Sequence, residues 1–250
     1  MIKDNIGNCV EPPEDEEVEC PPGYNKNEEG RCVQDPCEDI EELLENANYT
    51  AILNDLNTSG NTYYTKEKGF GLTLNDNPVE LQSSNNGHSV SFTGIDLNNI
   101  IGFIHTHPCG ETEIGIGNTS IIQKSIPMPS PKDIYVFRRL LTYADDNGRN
   151  MKDIYMTVIS CHGIFDIKYS GTGEDIRNWN MSIDLYKSYF EKNDDPVLAF
   201  KKYLDKIVNK NGNGFELYEY KKNETTGKYE SSRQDFNDDE TDVESINNCN

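Results

Sequence analysis

No stretch of this chain approaches the roughly 18 consecutive apolar residues that a bilayer-spanning helix needs, so the sequence holds no candidate transmembrane helix. The opening residues Met1-Ile2-Lys3-Asp4-Asn5-Ile6 also lack the apolar core of a secretory leader. Positive charge is scarce: 23 Lys and Arg stand against 44 Asp and Glu, for a formal charge of −21. Phosphate recognition depends on clustered cations, so the charge argues against a nucleic-acid surface and against an anionic membrane. Hydrophobic residues make up only 34% of the 250 residues, and the two ends are acidic and Asn-rich. The apolar content is therefore concentrated centrally, enough for one good-sized domain carrying extensions.

Cysteine is present, and unevenly. Cys9, Cys20, Cys32 and Cys37 crowd into a Pro-, Gly- and Glu-rich leader that has little with which to build a core. That density reads as two disulfides in an exported small module, with three pairings open. The stretch from Cys20-Pro21-Pro22-Gly23-Tyr24 to Arg31-Cys32 is similar to part of an EGF-type loop. A reduced, disordered leader is the competing reading. A structural zinc site lacks its paired CxxC spacings and a nearby histidine. The disulfide reading carries an expectation of an exported protein, reached from a longer precursor or by another route.

Residues 1–37 are thus read as a Cys-rich extension, 38–222 as the main domain and 223–250 as a polar, acidic, disordered tail. A helix starts after Asp35 and runs to about Asn57, with Ile40, Leu43, Leu44 and Ala47 on one face. Strands are predicted over 69–74, 89–93 and 100–106, then a helix over 130–145 stopped by Asn147-Gly148. Strands over 154–160 and 164–169 flank the tight turn Cys161-His162-Gly163. Helices over 183–192 and 196–209 and a short strand over 215–220 complete the pattern. The order predicts an α/β fold, a mixed sheet sandwiched by helices.

The chemistry lies between Ile100 and Asp133. The apolar strand 100–104 runs into His105-Thr106-His107-Pro108, and Ser130-Pro131-Lys132-Asp133 opens the next helix. Residues two apart in a strand share a face, so His105 and His107 can reach one ion while Thr106 turns away. Catalytic zinc takes three ligands from His, Asp or Glu and leaves a position for water, and Asp133 is the natural third. Ser130-Pro131-Lys132-Asp133 also reads as a capping box, with Pro at the first helical position. The two roles are compatible, because the serine can cap while its hydroxyl faces the metal. His162, in the hairpin turn, and His88, before a strand, read as ordinary surface residues.

HxHP followed by SxxD resembles the JAMM (also JAB or MPN) metallopeptidase family, over residues 60 to 172. The resemblance implies an MPN-like fold, Zn2+ held by His105, His107 and Asp133, Ser130 as the oxyanion donor, and an upstream glutamate as general acid/base. Glu67, in Thr65-Lys66-Glu67-Lys68-Gly69, fits the family's glutamate best, with Glu80 and Glu111 as competitors. The segment from Cys109 to Pro129 is longer than the family's spacing. A long loop there reads as a lid over the site, or as an insertion that displaces Ser130 and Asp133. Cys109 would close the site were it a fourth ligand.

The activity so implied is zinc-dependent hydrolysis of a peptide, isopeptide or related amide bond in a protein or peptide-like substrate. The Cys-rich leader looks most like the exported bacterial members. A non-catalytic JAMM-like interaction module is the alternative, and a RadC-like protein tied to DNA is the reading that the charge disfavours.

Overall fold

The apolar run preceding His105 forms a strand over Ile100–Thr106 in which every residue except Ile101 is buried, inside an eight-stranded sheet. An almost unbroken apolar sequence is what a strand covered on both faces requires. The computed structural model describes residues 2–3, 9–10, 24–26, 32–34, 36–58, 66–84, 87, 89–108, 111–116, 119–124, 126–171, 176, 179, 181–208, 214–237 and 239–246; of the side chains before 39, in 109–125 and at 208 nothing is described. The chain divides into two compact units, residues 1–38 and 39–250.

The first unit contains two short antiparallel pairs, β1 (Ile2–Lys3) with β2 (Cys9–Val10) and β3 (Tyr24–Lys26) with β4 (Cys32–Gln34). The predicted disulfides of Cys9, Cys20, Cys32 and Cys37 lie outside the described side chains, as does Cys109.

The second unit is mixed α/β. Its strands, in chain order, are β5 (Gly69–Thr73), β6 (Pro78–Glu80), β7 (Gln82–Ser83), β8 (Val90–Ser91), β9 (Ile100–Thr106), β10 (Glu111–Ile116), β11 (Thr119–Lys124), β12 (Tyr155–Ser160), β13 (Gly163–Tyr169), β14 (Phe215–Lys222), β15 (Tyr229–Phe236) and β16 (Val243–Ile246). Five helices are found among the described residues: α1 (Pro36–Glu45), which straddles the division between units, α2 (Ala47–Leu56), α3 (Pro131–Asp146), α4 (Ile183–Phe190) and α5 (Pro196–Val208). The main sheet runs β16-β15-β14-β13-β12-β9-β5-β6. Every neighbouring pair in it is antiparallel except β9 with β12, whose parallel register puts Val158 beside His105. A parallel pair needs a crossover connection, and here it contains the β10–β11 hairpin followed by α3. No helix among the described residues is long and apolar enough to cross a membrane.

Alternation along β12 separates the two faces of the sheet. Met156 joins a core with Phe103, Phe165, Ile167 and Leu217, covered by Ile134, Phe137, Leu140 and Leu141 of α3 and by Phe200, Tyr203 and Leu204 of α5. Tyr155 and Thr157 face the other way, toward Tyr49 of α2: the Tyr49 and Tyr155 rings meet edge-on at 5.3 Å, and the Tyr49 hydroxyl lies 2.8 Å from Thr157 Oγ1. Gly102 makes room for this layer, since a Cβ there would lie 2.4 Å from the Tyr155 ring.

Three sequence expectations change. The single N-terminal helix is two, because Asn46 stops the first and caps the second, its Oδ1 accepting the Asn48 and Tyr49 N–H groups at 3.0 Å. Ala47 is consequently exposed, and Tyr49, Ile52, Leu53 and Leu56 supply the buried face. The strand expected over 89–93 is only Val90–Ser91, paired with Gln82–Ser83 outside the main sheet. The tail expected to be disordered from 223 instead adds β15 and β16 to the sheet edge. Polar side chains help to join it: buried Gln234 donates to the Ser232 and Ser245 hydroxyls at 3.0 Å each.

Candidate metal centre

Strand alternation carries His105 and His107 to one face at the end of β9, and both are buried. Their Nε2 atoms lie 3.1 Å apart. His105 stacks on Phe103, two residues back on the same face, with centroids 5.5 Å apart and planes 24° from parallel. His107 is fixed from its far side, where Nδ1 lies 2.9 Å from the Ile126 carbonyl. That segment is itself tethered: Ser160 Oγ donates to the Pro127 carbonyl at 2.7 Å and Tyr186 OH to the Met128 carbonyl at 3.4 Å.

Asp133 completes the group from the N-terminus of α3. The capping box is fully formed, with Asp133 N–H donating to Ser130 Oγ at 3.3 Å and Ser130 N–H donating to Asp133 Oδ2 at 2.7 Å. The same carboxylate faces the histidines, Oδ1 3.2 Å from His105 Nε2 and Oδ2 3.2 Å from His107 Nε2. One carboxylate thus both completes the capping box and stands 3.2 Å from each histidine nitrogen.

Glu67 arrives from the neighbouring strand. Gly69 pairs with His105, and the pairing continues past the end of β5, with Thr106 N–H donating to the Lys68 carbonyl at 2.8 Å and Lys68 N–H to Thr106 Oγ1 at 3.0 Å. Glu67 therefore falls opposite His107 on the histidine face. Its carboxylate is buried, and its oxygen and the two histidine nitrogens all lie within 4.8 Å of one another. Glu80 is exposed on β6, and Glu111 starts β10, where side chains are not described. His162 is exposed in the β12–β13 turn, as expected, and His88 lies outside the described residues.

Protonation logic favours a cation here. A carbonyl oxygen only accepts, so His107 Nδ1 carries the hydrogen and, on a neutral ring, Nε2 presents a bare lone pair. That lone pair points at a second imidazole and a carboxylate. The titration of the groups shows that this environment stabilises a positive charge beside the carboxylates. Burial disfavours the imidazolium of His107, but the hydrogen bond and charge of Asp133, with Glu67 behind it, raise its pKa nonetheless. Burial also opposes the charged form of Asp133, yet His105 and His107 hold it well below the ordinary range. Glu67 moves up, because desolvation outweighs the attraction of the two histidines. Donors at 2.0–2.1 Å from a tetrahedral zinc ion stand roughly 3.3 Å apart. The 3.1 Å between the two histidine nitrogens is close to that spacing, and each nitrogen has one Asp133 oxygen at 3.2 Å, Oδ1 for His105 and Oδ2 for His107. The Ile126 carbonyl on His107 is the outer hydrogen bond that metal-bound histidines commonly make. His105 Nδ1 is buried with no hydrogen-bond partner among the described residues.

Sequence reasoning brought all five residues to one place but missed three supports. Segment 109–129 is not a structureless loop: it holds the β10–β11 hairpin, in register from Glu111 against Lys124 to Ile116 against Thr119. Neither the Ile126 carbonyl nor the Ser160 tether has a signal in residue type. Gly69 does, since a glycine inside a strand marks close approach; a Cβ there would lie 2.8 Å from His105 Cβ. No protein-family model, curated protein or solved structure matches this chain.

Proposed function

We propose that the 39–250 unit is a zinc-dependent hydrolase of the JAMM type, acting on a peptide, isopeptide or related amide bond. The observation that carries the reading is the convergence of His105, His107 and Asp133 donor atoms at 3.1–3.2 Å, with the buried Glu67 carboxylate beside them. The order of Glu67, His105-Thr106-His107-Pro108 and Ser130-Pro131-Lys132-Asp133, on a strand, a strand end and a helix start, adds the family likeness.

A bound zinc ion supplies a Lewis acid that polarises the carbonyl and brings the pKa of water toward neutrality. Glu67 would accept the proton of the attacking water as the C–O bond forms and return it to the leaving nitrogen as the C–N bond then breaks. Its raised pKa, caused first by burial, suits a group that must both take and give a proton. Ser130 Oγ accepts from the Asp133 N–H, which leaves its hydrogen for the developing oxyanion. His105, His107 and Asp133 serve as ligands, and Ile126 orients His107.

The test is a panel of peptide and isopeptide substrates incubated with zinc-loaded protein. Glu67→Gln should lower the hydrolysis rate by about 10² to 10⁴ while zinc content stays at the wild-type level. Equal turnover by wild type and Glu67→Gln would remove Glu67 from the mechanism. Full zinc content with no turnover of any substrate would leave the non-catalytic module as the better account.

A further inference from the structure

Beyond the metal centre, the exposed side of α3 and the 90–98 segment enclose a groove of roughly 520 Å³. Lys132, Tyr135, Val136 and Arg139 project into it at helical positions i, i+3, i+4 and i+7, and Phe92 and Ile95 form the opposite wall. A second hollow of roughly 350 Å³ continues it along the helix, sharing Arg139 and adding Arg138.

One wall of the groove is α3, the helix that also carries Asp133. Lys132 directly precedes Asp133 in the first turn of α3. Val90, which lines the other wall, has Cγ1 3.3 Å from where a Cβ on Gly69 would stand, and Gly69 pairs with His105.

Its charge is opposite to that of the chain. Acidic residues outnumber basic ones 44 to 23 over the whole sequence, but the two hollows are lined by Lys132, Arg138 and Arg139 against Asp96 and Asp146. No salt bridge to Lys132, Arg138 or Arg139 is found among the described residues. Instead Arg138 lies over the Tyr135 ring at 5.3 Å and Arg139 over Tyr143 at 5.9 Å. Such stacking holds a guanidinium against an apolar floor and leaves its N–H groups for a carboxylate.

We propose that this groove binds an extended acidic segment of a polypeptide substrate, with carboxylates on Lys132 and Arg139 and apolar side chains against Phe92, Ile95 and Val136. Seven helical residues separate the two cations, about 10 Å of rise, and carboxylates on alternate residues of an extended chain, about 7 Å apart on one face, can reach both through the long Lys and Arg side chains. The word substrate rests on the hydrolase reading; the binding does not.

The test uses three fluorescein-labelled eight-residue peptides in which leucine alternates with glutamate, glutamine or lysine. Their affinities for the intact chain are read by fluorescence anisotropy, in EDTA and again with zinc. The Glu/Leu peptide should bind about five- to tenfold more tightly than the Gln/Leu peptide, and the Lys/Leu peptide more weakly than either. The double variant Lys132→Glu/Arg139→Glu should reverse that order while keeping the wild-type circular dichroism melt. Equal affinity for all three peptides, or an unchanged order in the double variant, overturns the proposal. Because the binding is read in EDTA, it stands or falls apart from zinc content and turnover. Acid-selective binding by a protein that holds no zinc would keep the groove and reject the hydrolase.

Discussion

At the scale of single residues, the site depends on groups that each do two jobs. Asp133 closes the helix cap with Oδ2 and faces His105 with Oδ1, so the rigidity of a helix start is lent to a candidate ligand. Gly69 contributes by having no side chain: a Cβ there would stand 2.8 Å from His105 Cβ and 2.9 Å from the Ile104 carbonyl. Neither neighbour is the flexible end of a side chain, so the backbone or the imidazole must move. Gly69→Ala should therefore cost about 1–3 kcal/mol of stability, as overpacking does, and displace His105. A thermal melt reads the first effect and a chelator competition the second. An unchanged melting temperature together with unchanged zinc affinity would show that β5 and β9 are not packed this closely.

At the scale of elements, α2 is joined to the sheet by a buried polar chain remote from the metal face. Thr157 donates to Asp166 Oδ1 at 2.5 Å, and the Tyr49 hydroxyl, 2.8 Å from Thr157 Oγ1, is left as the donor to it. Burial first, against the Thr157 hydrogen bond and the Lys168 charge, lifts the Asp166 pKa from 3.8 to about 7. The folded state thus keeps a proton that the unfolded chain releases near pH 4. The stability contributed by this proton is fully present below about pH 4 and is lost as pH rises through about 7, at up to ~1.4 kcal/mol per pH unit. Asp166→Asn keeps an acceptor for Thr157 and removes the titration. Denaturant melts from pH 4 to 8 should show the wild type losing stability relative to the variant, and parallel curves would contradict a neutral buried Asp166.

Elements were legible where side chains carry a period. The α3 face of Ile134, Phe137, Leu140 and Leu141 and the apolar β9 appear in the structure within a residue of expectation. β15 was not legible, because buried positions such as Ser231, Ser232 and Gln234 are polar, and Gln234 depends on Ser245 in the neighbouring strand. Asn46 was readable as a cap, but the acidic run before it reads equally well as one continuous helix.

At the scale of the molecule, a strongly acidic chain encloses a buried cluster of two imidazoles and two carboxylates and carries three of its cations on two hollows along α3. The cluster's pattern of types was legible because strand alternation and helix capping are local rules. Its closure was not, since the Ile126 carbonyl and the Ser160 tether come from backbone positions that no residue type announces. A cation among these donors would join β9 to the start of α3, and its removal should lower the melting temperature of the whole second unit. The most direct measurement of the central claim is elemental analysis of the full chain purified without chelator, alongside His107→Ala. About one zinc per chain in the wild type and little in the variant is the result expected of a three-ligand site. A wild type with no zinc after loading and desalting, or a His107→Ala protein with full occupancy, would contradict it.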